Sequence, residues 1–450
     1  MAHARLGQAS CDARAVALSV LELVLSAVGL LGVVVVARSV WRSPIWAVAL
    51  VVLSVPLQAY GRVGSDGVGI TWTQAWLWTF LAAATILFAA GFISFRVDLI
   101  SFSFSFVVVC YIVSRHAAVD AQAWRNEVYR WSITLAFFVV ARGMLRDRPK
   151  AGPLVVVTIM GAIWTGVVAI AQVLGEHGPE SFRRAGFPRA FASFGEPNTY
   201  GAFAAGCLVV LAAILLFDRS RSSSWRPYSC ALGCWIAAVG VGLSQSRGAI
   251  LATSLVLGTM LIFRLNQSGW FSSSARVVLV VTISAASMIA APRLAAEVTS
   301  GGTGVEVTSA SWADQERLAH WGAASRMIVE SRGVGIGAGQ FDAQYRALTP
   351  SWRFRIPQGH SHSAYLQVAA EAGMLGVGAY AVLLLSVFGS LGRRIRQAGS
   401  SLTAVLALVA TGVFALQNLV DYLHVLNLPI ILVAWWALAL GQSEGSTVTS

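Results

Sequence analysis

The sequence predicts an all-α fold: a polytopic transmembrane bundle of about 12–13 spans with one long external loop carrying short helices. Of its 450 residues, 56% are hydrophobic and only 12% are charged, about half the charged fraction of a soluble domain. Apolar runs of about 18 residues or more recur along the whole chain. These runs are too long and continuous for barrel strands, and helices satisfy their own backbone hydrogen bonds in lipid.

The first apolar run is too long for the apolar region of a signal peptide, and no clean cleavage site follows it, so we interpret it as a span. Hydrophobic periodicity then places the spans of the N-terminal part of the chain at 15–37, 44–60, 75–95, 97–114, 127–145 and 153–175. Those of the remaining part are predicted at 199–217, 228–244, 248–264, 275–292, 363–390, 401–418 and 425–441.

A single hydrophilic segment, 293–362, interrupts this pattern and is predicted to be the long external loop. The chain shows no appended soluble domain, internal repeat or low-complexity linker, so residues 1–450 are predicted to form one integral membrane domain.

Short loops rich in Arg and Lys mark the cytoplasmic side of a membrane protein. Three loops agree on one orientation, and they contain Arg142, Arg146, Arg148 and Lys150, then Arg219, Arg221 and Arg226, then Arg393, Arg394 and Arg396. They place a rim loop at 176–198, the turn at 244–248 and the long loop on the outside. Thirteen spans put the N-terminus outside, whereas twelve spans, with one early segment not crossing, put it inside.

Residues 189–201 read R-A-F-A-S-F-G-E-P-N-T-Y-G at the predicted outer rim. Pro197 suits the first turn of a helix, with Asn198 as its cap or first-turn residue. A helix N-terminus offers free N–H groups, and Arg189 adds a forked donor suited to phosphate. The combination indicates an anion site. The alternative is helix capping beside an arginine that extends to lipid headgroups.

Two further outer stretches carry candidate functional residues. L-S-Q-S-R-G-A at 243–249 places Arg247 at the apex of a short turn between two spans, where contact with lipid headgroups is again the alternative. Arg317, Trp321 and Met327 follow an amphipathic helical pattern that can lie on the membrane surface. Glycines at 333, 335, 337 and 339 are interpreted as a flexible turn, because no strand precedes them as in a nucleotide loop.

His360 and His362 stand where the next span begins. An H-x-H pair can ligate a metal, but the sequence offers no clear third ligand. A single neutral histidine acting as a base is the favoured interpretation, since its ordinary pKa suits that role near neutral pH. The chain has no D-x-D pair, G-x-S-x-G or P-loop, and it has few charged residues in mid-span, where an ion-coupled transporter usually needs some.

Taken in order, these stretches resemble the O-antigen ligase and O-antigen polymerase superfamily of bacterial membrane glycosyltransferases. Residues 189–198 are similar to its R-x-x-G-x-x-x-x-P-N stretch, with Ala192 where Gly is usual. S-R-G-A at 246–249 is similar to its S-R-G-A turn. The start of its long external loop is similar to R-x-x-x-W at Arg317 and the G-V-G-I-G-A-G-Q-F that follows. H-S-A-Y-L-Q-V-A-A-E-A-G-M-L-G resembles its H-N-x-Y-L-x-x-x-x-E-x-G-x-x-G signature, with Ser363 replacing Asn. The resemblance covers 189–376.

The resemblance implies an inverting, metal-independent glycosyltransferase of the bacterial cytoplasmic membrane, with its site facing outside and no cofactor. The implied donor is a glycan on a polyprenyl (di)phosphate such as undecaprenyl phosphate. The implied acceptor is a sugar hydroxyl on a glycan, lipid or protein. Membrane lipids are further partners, nucleic acid is not a partner, and the process is surface polysaccharide assembly at the cell envelope.

The resemblance also suggests roles for individual residues. Arg189 and Arg247 would bind the diphosphate, and His362 would be the general base. Arg317 is a third candidate for the diphosphate, and Glu196 is an alternative base or a residue that orients arginine. The other candidate substrate-binding residues are Asn198, His360 and Tyr365, although Tyr365 and Glu371 are also predicted to support the helix that follows His362. Residues of the last outer turn can reach the same cavity but are favoured as structural, namely Gln417, Asp421 and His424.

Three other functions remain open at this point. A transporter or flippase of lipid-linked glycans would also need arginines facing phosphate, but it predicts polar residues along a path through the bundle. A protein O-oligosaccharyltransferase would share the donor chemistry. A scaffold of the cell envelope predicts that Arg189 and His362 tolerate substitution. The sequence does not distinguish a polymerase from a ligase.

Overall fold

The computed structural model describes residues 26–60, 62–63, 70–93, 97–146, 151–184, 186–218, 226–267, 308–349, 354–357, 359–397 and 401–441. Within these ranges the chain is almost entirely helical, with fourteen α-helices and two short β-hairpins, which confirms the predicted all-α fold. Seven of the described helices are long and apolar enough to cross a membrane, and three shorter helices are also apolar. The predicted span at 275–292 lies outside the described residues.

The helices of the N-terminal part are α1 (26–42), α2 (Pro44–Ser54), α3 (Trp72–Ala89), α4 (Leu99–Val113), α5 (Ala121–Met144) and α6 (Gly152–Leu174). A hairpin of β1 (Arg62–Val63) and β2 (Ile70–Thr71) precedes α3. Short polar side chains begin several of these helices, as helix caps generally do. Asp98 caps α4, Asp120 caps α5, and Thr71 forms a capping box with Gln74 at α3.

The helices of the C-terminal part are α7 (Pro197–Phe217), α8 (Arg226–Ser244), α9 (Arg247–Gln267), α10 (Thr308–Glu330), α11 (Phe341–Leu348), α12 (Ala364–Gln397), α13 (Leu402–Gln417) and α14 (Leu428–Gly441). A second hairpin pairs β3 (Arg183–Arg184) with β4 (Phe187–Pro188) in the predicted rim loop. Helices α10 and α11 lie within the segment predicted as the long loop, and α11, with 8 residues, is a short helix as expected, whereas α10 has 23 residues.

Contacts between helix ends show that successive helices run in opposite directions. At one end, here called the rim end because it holds 189–198, Trp76 of α3 donates to the carbonyl of Gly29 at 3.0 Å. At the opposite end, Arg142 of α5 and Arg394 of α12 both donate to the carbonyl of Leu440. Two of the three arginine-rich turns predicted for one side therefore share one end. Gly29 of α1 lies beside Trp76 near the start of α3.

Helix α7 lies at the centre of the bundle, where it packs against α8, α9 and α13. Glycine permits the closest of these contacts, since a Cβ on Gly201 would lie 2.7 Å from the Ser244 hydroxyl and 2.8 Å from the Ser246 Cβ. Small residues serve the same purpose at other helix interfaces in membranes. The start of α7 and the turn between α8 and α9 are thereby brought together at the rim end.

Helix α12 is interrupted at Gly373, whose φ of 74° and ψ of −174° are not helical. The interruption frees backbone groups that the glycine-rich segment then satisfies, because Ile336 and Gly337 donate to the carbonyls of Ala370 and Glu371. A Cβ on Gly337 would lie 2.8 Å from backbone atoms of Ala118. The predicted flexible turn is thus a turn, but a closely packed one, with 335–338 buried.

Candidate functional site

Arg189 is held between the end of α8 and the start of α7. Its Nε donates to the carbonyl of Ser244 at 3.0 Å, and its Nη2 donates to the Asn198 side-chain oxygen at 2.8 Å. These bonds use two of the five N–H donors of a guanidinium. Pro197 is the first residue of α7, as predicted, and Asn198 lies in its first turn. The rim arginine is therefore fixed beside a helix N-terminus.

Three other arginines lie close enough to Arg189 to change its ionisation. Burial above all lowers the pKa of Arg189, and the positive charges of Arg184, Arg317 and Arg247 act in the same direction while Asp421 opposes them. Together these effects bring the pKa to about 10. Arg247 and Arg317 were predicted for this site, whereas Arg184 was missed because β3 and β4 carry no motif. Four converging guanidiniums form a site whose mutual repulsion an anion would relieve. This set is called the arginine cluster below.

Three histidines meet beside the arginine cluster. The rings of His360 and His362 are 4.6 Å apart, and those of His320 and His362 are 5.3 Å apart. The His362 backbone N–H donates to Nδ1 of His360 at 3.2 Å, so that nitrogen is an acceptor. Nδ1 of His320 lies 2.7 Å from the carbonyl of Glu316, which assigns its proton to Nδ1.

Two of these histidines are neutral near pH 7. Burial, with the added charges of His362, His320 and Arg317, lowers the pKa of His360 to about 3, although Asp421 acts in the opposite direction. Burial likewise lowers the pKa of His320. Both imidazoles therefore favour their neutral forms, and a buried carboxylate lies beside both His360 and His362.

That carboxylate belongs to Asp421. Its Oδ1 lies 3.9 Å from Nδ1 of His362, which is too long for a hydrogen bond but close enough for a charge pair. Nδ1 of His362 is buried and has no hydrogen-bond partner among the described residues. Burial raises the pKa of Asp421, but His362, His360 and Arg317 outweigh it and keep the pKa below its ordinary value. Asp421 is therefore an ionised group directed at His362.

Backbone contacts explain why residues so far apart in sequence meet. The N–H of Ala364, the first residue of α12, lies 2.9 Å from the carbonyl of Asn418 and 3.0 Å from that of Asp421. Ser361 adds a bond from its backbone N–H to Gln367 at 2.7 Å. His362 itself has φ of 55°, and its carbonyl accepts a hydrogen bond from Trp321. The turn after α13 and the loop before α12 are thus locked together.

His360, His362 and Asp421 could also hold a metal ion, since one ligand atom from each lies within 4.8 Å of the others. The sequence showed no third ligand for the histidine pair, and the structure supplies Asp421. Arg317 influences both His360 and Asp421, and its positive charge disfavours a cation there. The residues offer ligands, but their electrostatic surroundings suit an anion better.

The other predicted residues occupy different surroundings. Glu196 lies just before α7, where loss of hydration and the charge of Asp421 raise its pKa while His362 lowers it, so this carboxyl is near the proposed base. Arg189 bonds to Asn198 and Ser244 rather than to Glu196. The Tyr365 hydroxyl donates to the carbonyl of Ala415, so it bonds within the bundle. Residues of the last turn divide in role: Gln417 donates to the carbonyl of Asn198 at 3.4 Å, whereas His424 stacks on Trp131 at 4.3 Å between ring centroids, away from the other histidines.

Glu371 supports the site from beneath, as predicted. It is buried and accepts from Gln367 at 2.8 Å, and Gln367 in turn accepts from the backbone of Ser361. Ser363, which replaces the Asn of the motif that this stretch resembles, is buried, and its hydroxyl lies 3.5 Å from the N–H of Leu366 in the first turn of α12. The shorter side chain therefore still acts as a cap.

The structure explains the glycine that is usual at position 192. Ala192 has φ of 46°, in the left-handed region, and both its N–H and its carbonyl bond to Gln172. We expect Ala192→Gly to change the free energy of unfolding by less than about 1 kcal/mol, since relief of strain offsets the lost methyl group and added chain entropy. Ala192→Val should destabilise by about 2–3 kcal/mol, because branched side chains tolerate this conformation poorly.

Thermal unfolding of both variants in detergent tests this expectation. Equal melting temperatures for the glycine and valine variants would contradict the backbone conformation assigned to Ala192.

Comparison with known families places part of this site in a recognised domain. Residues 232–381 match the family described as O-antigen ligase. The matched segment contains Arg247, Arg317 and the histidines at 320, 360 and 362, whereas Arg189 and Asp421 lie outside it. The match confirms the resemblance on which the sequence interpretation was based. No curated protein matches the chain.

Proposed function

We propose, from the O-antigen ligase domain at residues 232–381, that this protein is a glycosyltransferase of surface polysaccharide assembly. It transfers a glycan from a polyprenyl (di)phosphate to a sugar hydroxyl at the outer face of the bacterial cytoplasmic membrane. The observation that carries this proposal is the position of the His362–Asp421 pair beside the arginine cluster. The His362–Asp421 pair can act as a general base, and the arginine cluster can stabilise a leaving phosphate.

The proposed reaction is a single displacement. The acceptor hydroxyl oxygen attacks the anomeric carbon as the bond from that carbon to the phosphate oxygen breaks, and the hydroxyl proton passes to His362. The diphosphate leaves with the bonding electrons, and the arginine cluster stabilises the charge that develops on it. Attack from the face opposite the leaving group inverts the anomeric centre.

Asp421 acts as the positioning residue for His362 in this scheme. An ionised carboxylate beside Nδ1 favours the tautomer with its proton on that nitrogen, which leaves Nε2 to accept the proton of the acceptor. The same carboxylate stabilises the imidazolium that forms. Glu196 remains the alternative base, and its exposed position before α7 is compatible with that role.

A reconstituted assay separates this proposal from transport. The purified protein in nanodiscs is supplied with lipid-linked glycans extracted from a strain that lacks the gene. We expect new glycosidic bonds together with release of the polyprenyl diphosphate. A flippase would move the same lipids across liposome membranes without forming any bond, and that result would overturn the proposal.

We expect transfer to persist after treatment with EDTA, because arginines rather than a metal neutralise the leaving group. The initial rate in EDTA should remain within about twofold of the untreated rate. An activity that is lost in EDTA and restored by Zn²⁺ would instead assign His360, His362 and Asp421 as metal ligands.

A further inference from the structure

A cavity of about 840 Å³ opens beside His360, and Arg189 is not among its lining residues. Its walls come from the start of α5, the segment 194–196, the glycine-rich segment before α11, the residues at 359–360 and the turn at 422–427. None of the arginines of the cluster lines it, whereas His360 does. The cavity therefore adjoins the proposed base but is separate from the proposed phosphate site.

The lining of this cavity is rich in hydrogen-bonding groups, and its carboxyl groups outnumber its guanidinium groups. Four carboxyl groups line it, and Arg130 provides the one guanidinium among the lining residues. That guanidinium is already paired, since its Nη1 lies 3.0 Å from the carboxylate of Glu127. Side-chain amides contribute further donors and acceptors, from Gln58, Gln74, Asn126 and Asn427.

Several of these groups are fixed in position. Glu127 accepts hydrogen bonds from Tyr422 at 2.6 Å and Trp131 at 3.1 Å in addition to its ion pair. Gln58 donates to the carbonyl of Leu426 and accepts from Asn427 at 3.0 Å. Fixed polar groups around an open volume favour a ligand that is itself a dense array of hydroxyls.

We infer that this cavity binds the acceptor sugar, an uncharged or weakly cationic glycan unit whose hydroxyl group points toward His362. The inference rests on the proposed function and extends it. The lining suits a diphosphate poorly, because Arg130, its one guanidinium among the described residues, is already paired with Glu127, whereas sugar hydroxyls pair with carboxyl groups and amides. The acceptor hydroxyl then approaches His362 from this cavity, while the donor phosphate lies at the arginine cluster.

Asn126 provides the test, because it lines the cavity, is exposed and lies in α5, outside the proposed catalytic groups. The Asn126→Trp variant places a bulky indole at the cavity wall, and Arg125→Trp is the matched control, since Arg125 is exposed on the same helix but does not line the cavity. Two readouts are measured on full-length protein in nanodiscs. They are transfer from extracted lipid-linked glycans and the rise in melting temperature on adding inorganic pyrophosphate.

We expect Asn126→Trp to reduce transfer by at least about tenfold while leaving the pyrophosphate response unchanged. Arg125→Trp should match the wild type in both readouts. The milder Asn126→Ala variant should raise the apparent KM by about threefold or more without changing kcat beyond about twofold.

Normal transfer by Asn126→Trp would overturn the inference. Loss of the pyrophosphate response by the same variant would also overturn it, because it would place donor binding in this cavity. A wild-type protein that forms no glycosidic bond would refute the proposed function instead, so the two failures are distinguishable.

Discussion

Replacing His362 with alanine is expected to lower the rate of glycosyl transfer by about 10²–10⁴-fold, the range for loss of a positioned general base. The acceptor hydroxyl is a poor nucleophile, and His360 and His320 cannot substitute for the missing base. Burial lowers the pKa of His360 to about 3 and also lowers that of His320, which makes both weak proton acceptors. The initial rate in nanodiscs measures this loss.

The backbone conformation of His362 determines which further substitution is a suitable control for this experiment. His362 has φ of 55°, a conformation that asparagine tolerates better than alanine. His362→Asn should therefore fold as the wild type does and still lose transfer. His177→Ala removes an exposed histidine from the rim loop and should leave the rate unchanged. A His362→Asn variant that keeps more than about half of the wild-type rate would contradict the assignment.

Replacing Arg189 with alanine is expected to lower the transfer rate by about 10²–10³-fold, as for the loss of one donor aimed at developing charge. Arg189→Lys should also lose most of the activity, although it keeps the charge. A lysine lacks the planar fork that bonds Ser244 and Asn198 together and still faces a phosphate. Arg183→Ala is the matched control, since Arg183 pairs with Glu176 and Glu180 on the outside of the hairpin.

The Arg189→Ala variant should also lose the rise in melting temperature that inorganic pyrophosphate produces in the wild type. The folded-state pKa of Arg189, about 10, lies below its ordinary value of 12.5, so the fold disfavours the charged form. A bound anion favours the charged form of Arg189, so pyrophosphate should raise the melting temperature of the wild type at pH 7. This rise should be lost as the pH increases through about 10, where Arg189 loses its charge. An equal rise in Arg189→Ala would contradict the arginine cluster as the phosphate site.

Helical periodicity predicted most of the fold. Apolar runs located the described membrane-crossing helices, although some helix ends differ by six or seven residues from the prediction, and Pro197 marked the start of α7. Charge counting also gave a consistent orientation, because Arg142 and Arg394 meet the same carbonyl at one end of the bundle. The apolar runs and Pro197 are local features of the sequence, and the orientation depends only on the number of helices. The sequence is therefore enough to predict them.

The parts that sequence did not predict depend on contacts between distant segments. Asp421 was favoured as structural, yet bonds from Ala364 to the turn after α13 bring it to His362. Arg184 was missed because a two-residue hairpin leaves no periodic signal. The glycine-rich segment was interpreted as flexible, although backbone groups freed at Gly373 hold it in place. None of these contacts follows from spacing along the chain.

The most direct test of the central claim is the glycan profile of a deletion strain complemented with wild type, Arg189→Ala or His362→Ala at matched protein levels. Surface polysaccharide length and the lipid-linked pool are measured in each strain. We predict that both variants fail: loss of long chains with accumulation of short lipid-linked units identifies a polymerase, and accumulation of full-length unattached chains identifies a ligase. Restoration of the wild-type profile by both variants would contradict the claim that these residues perform the transfer.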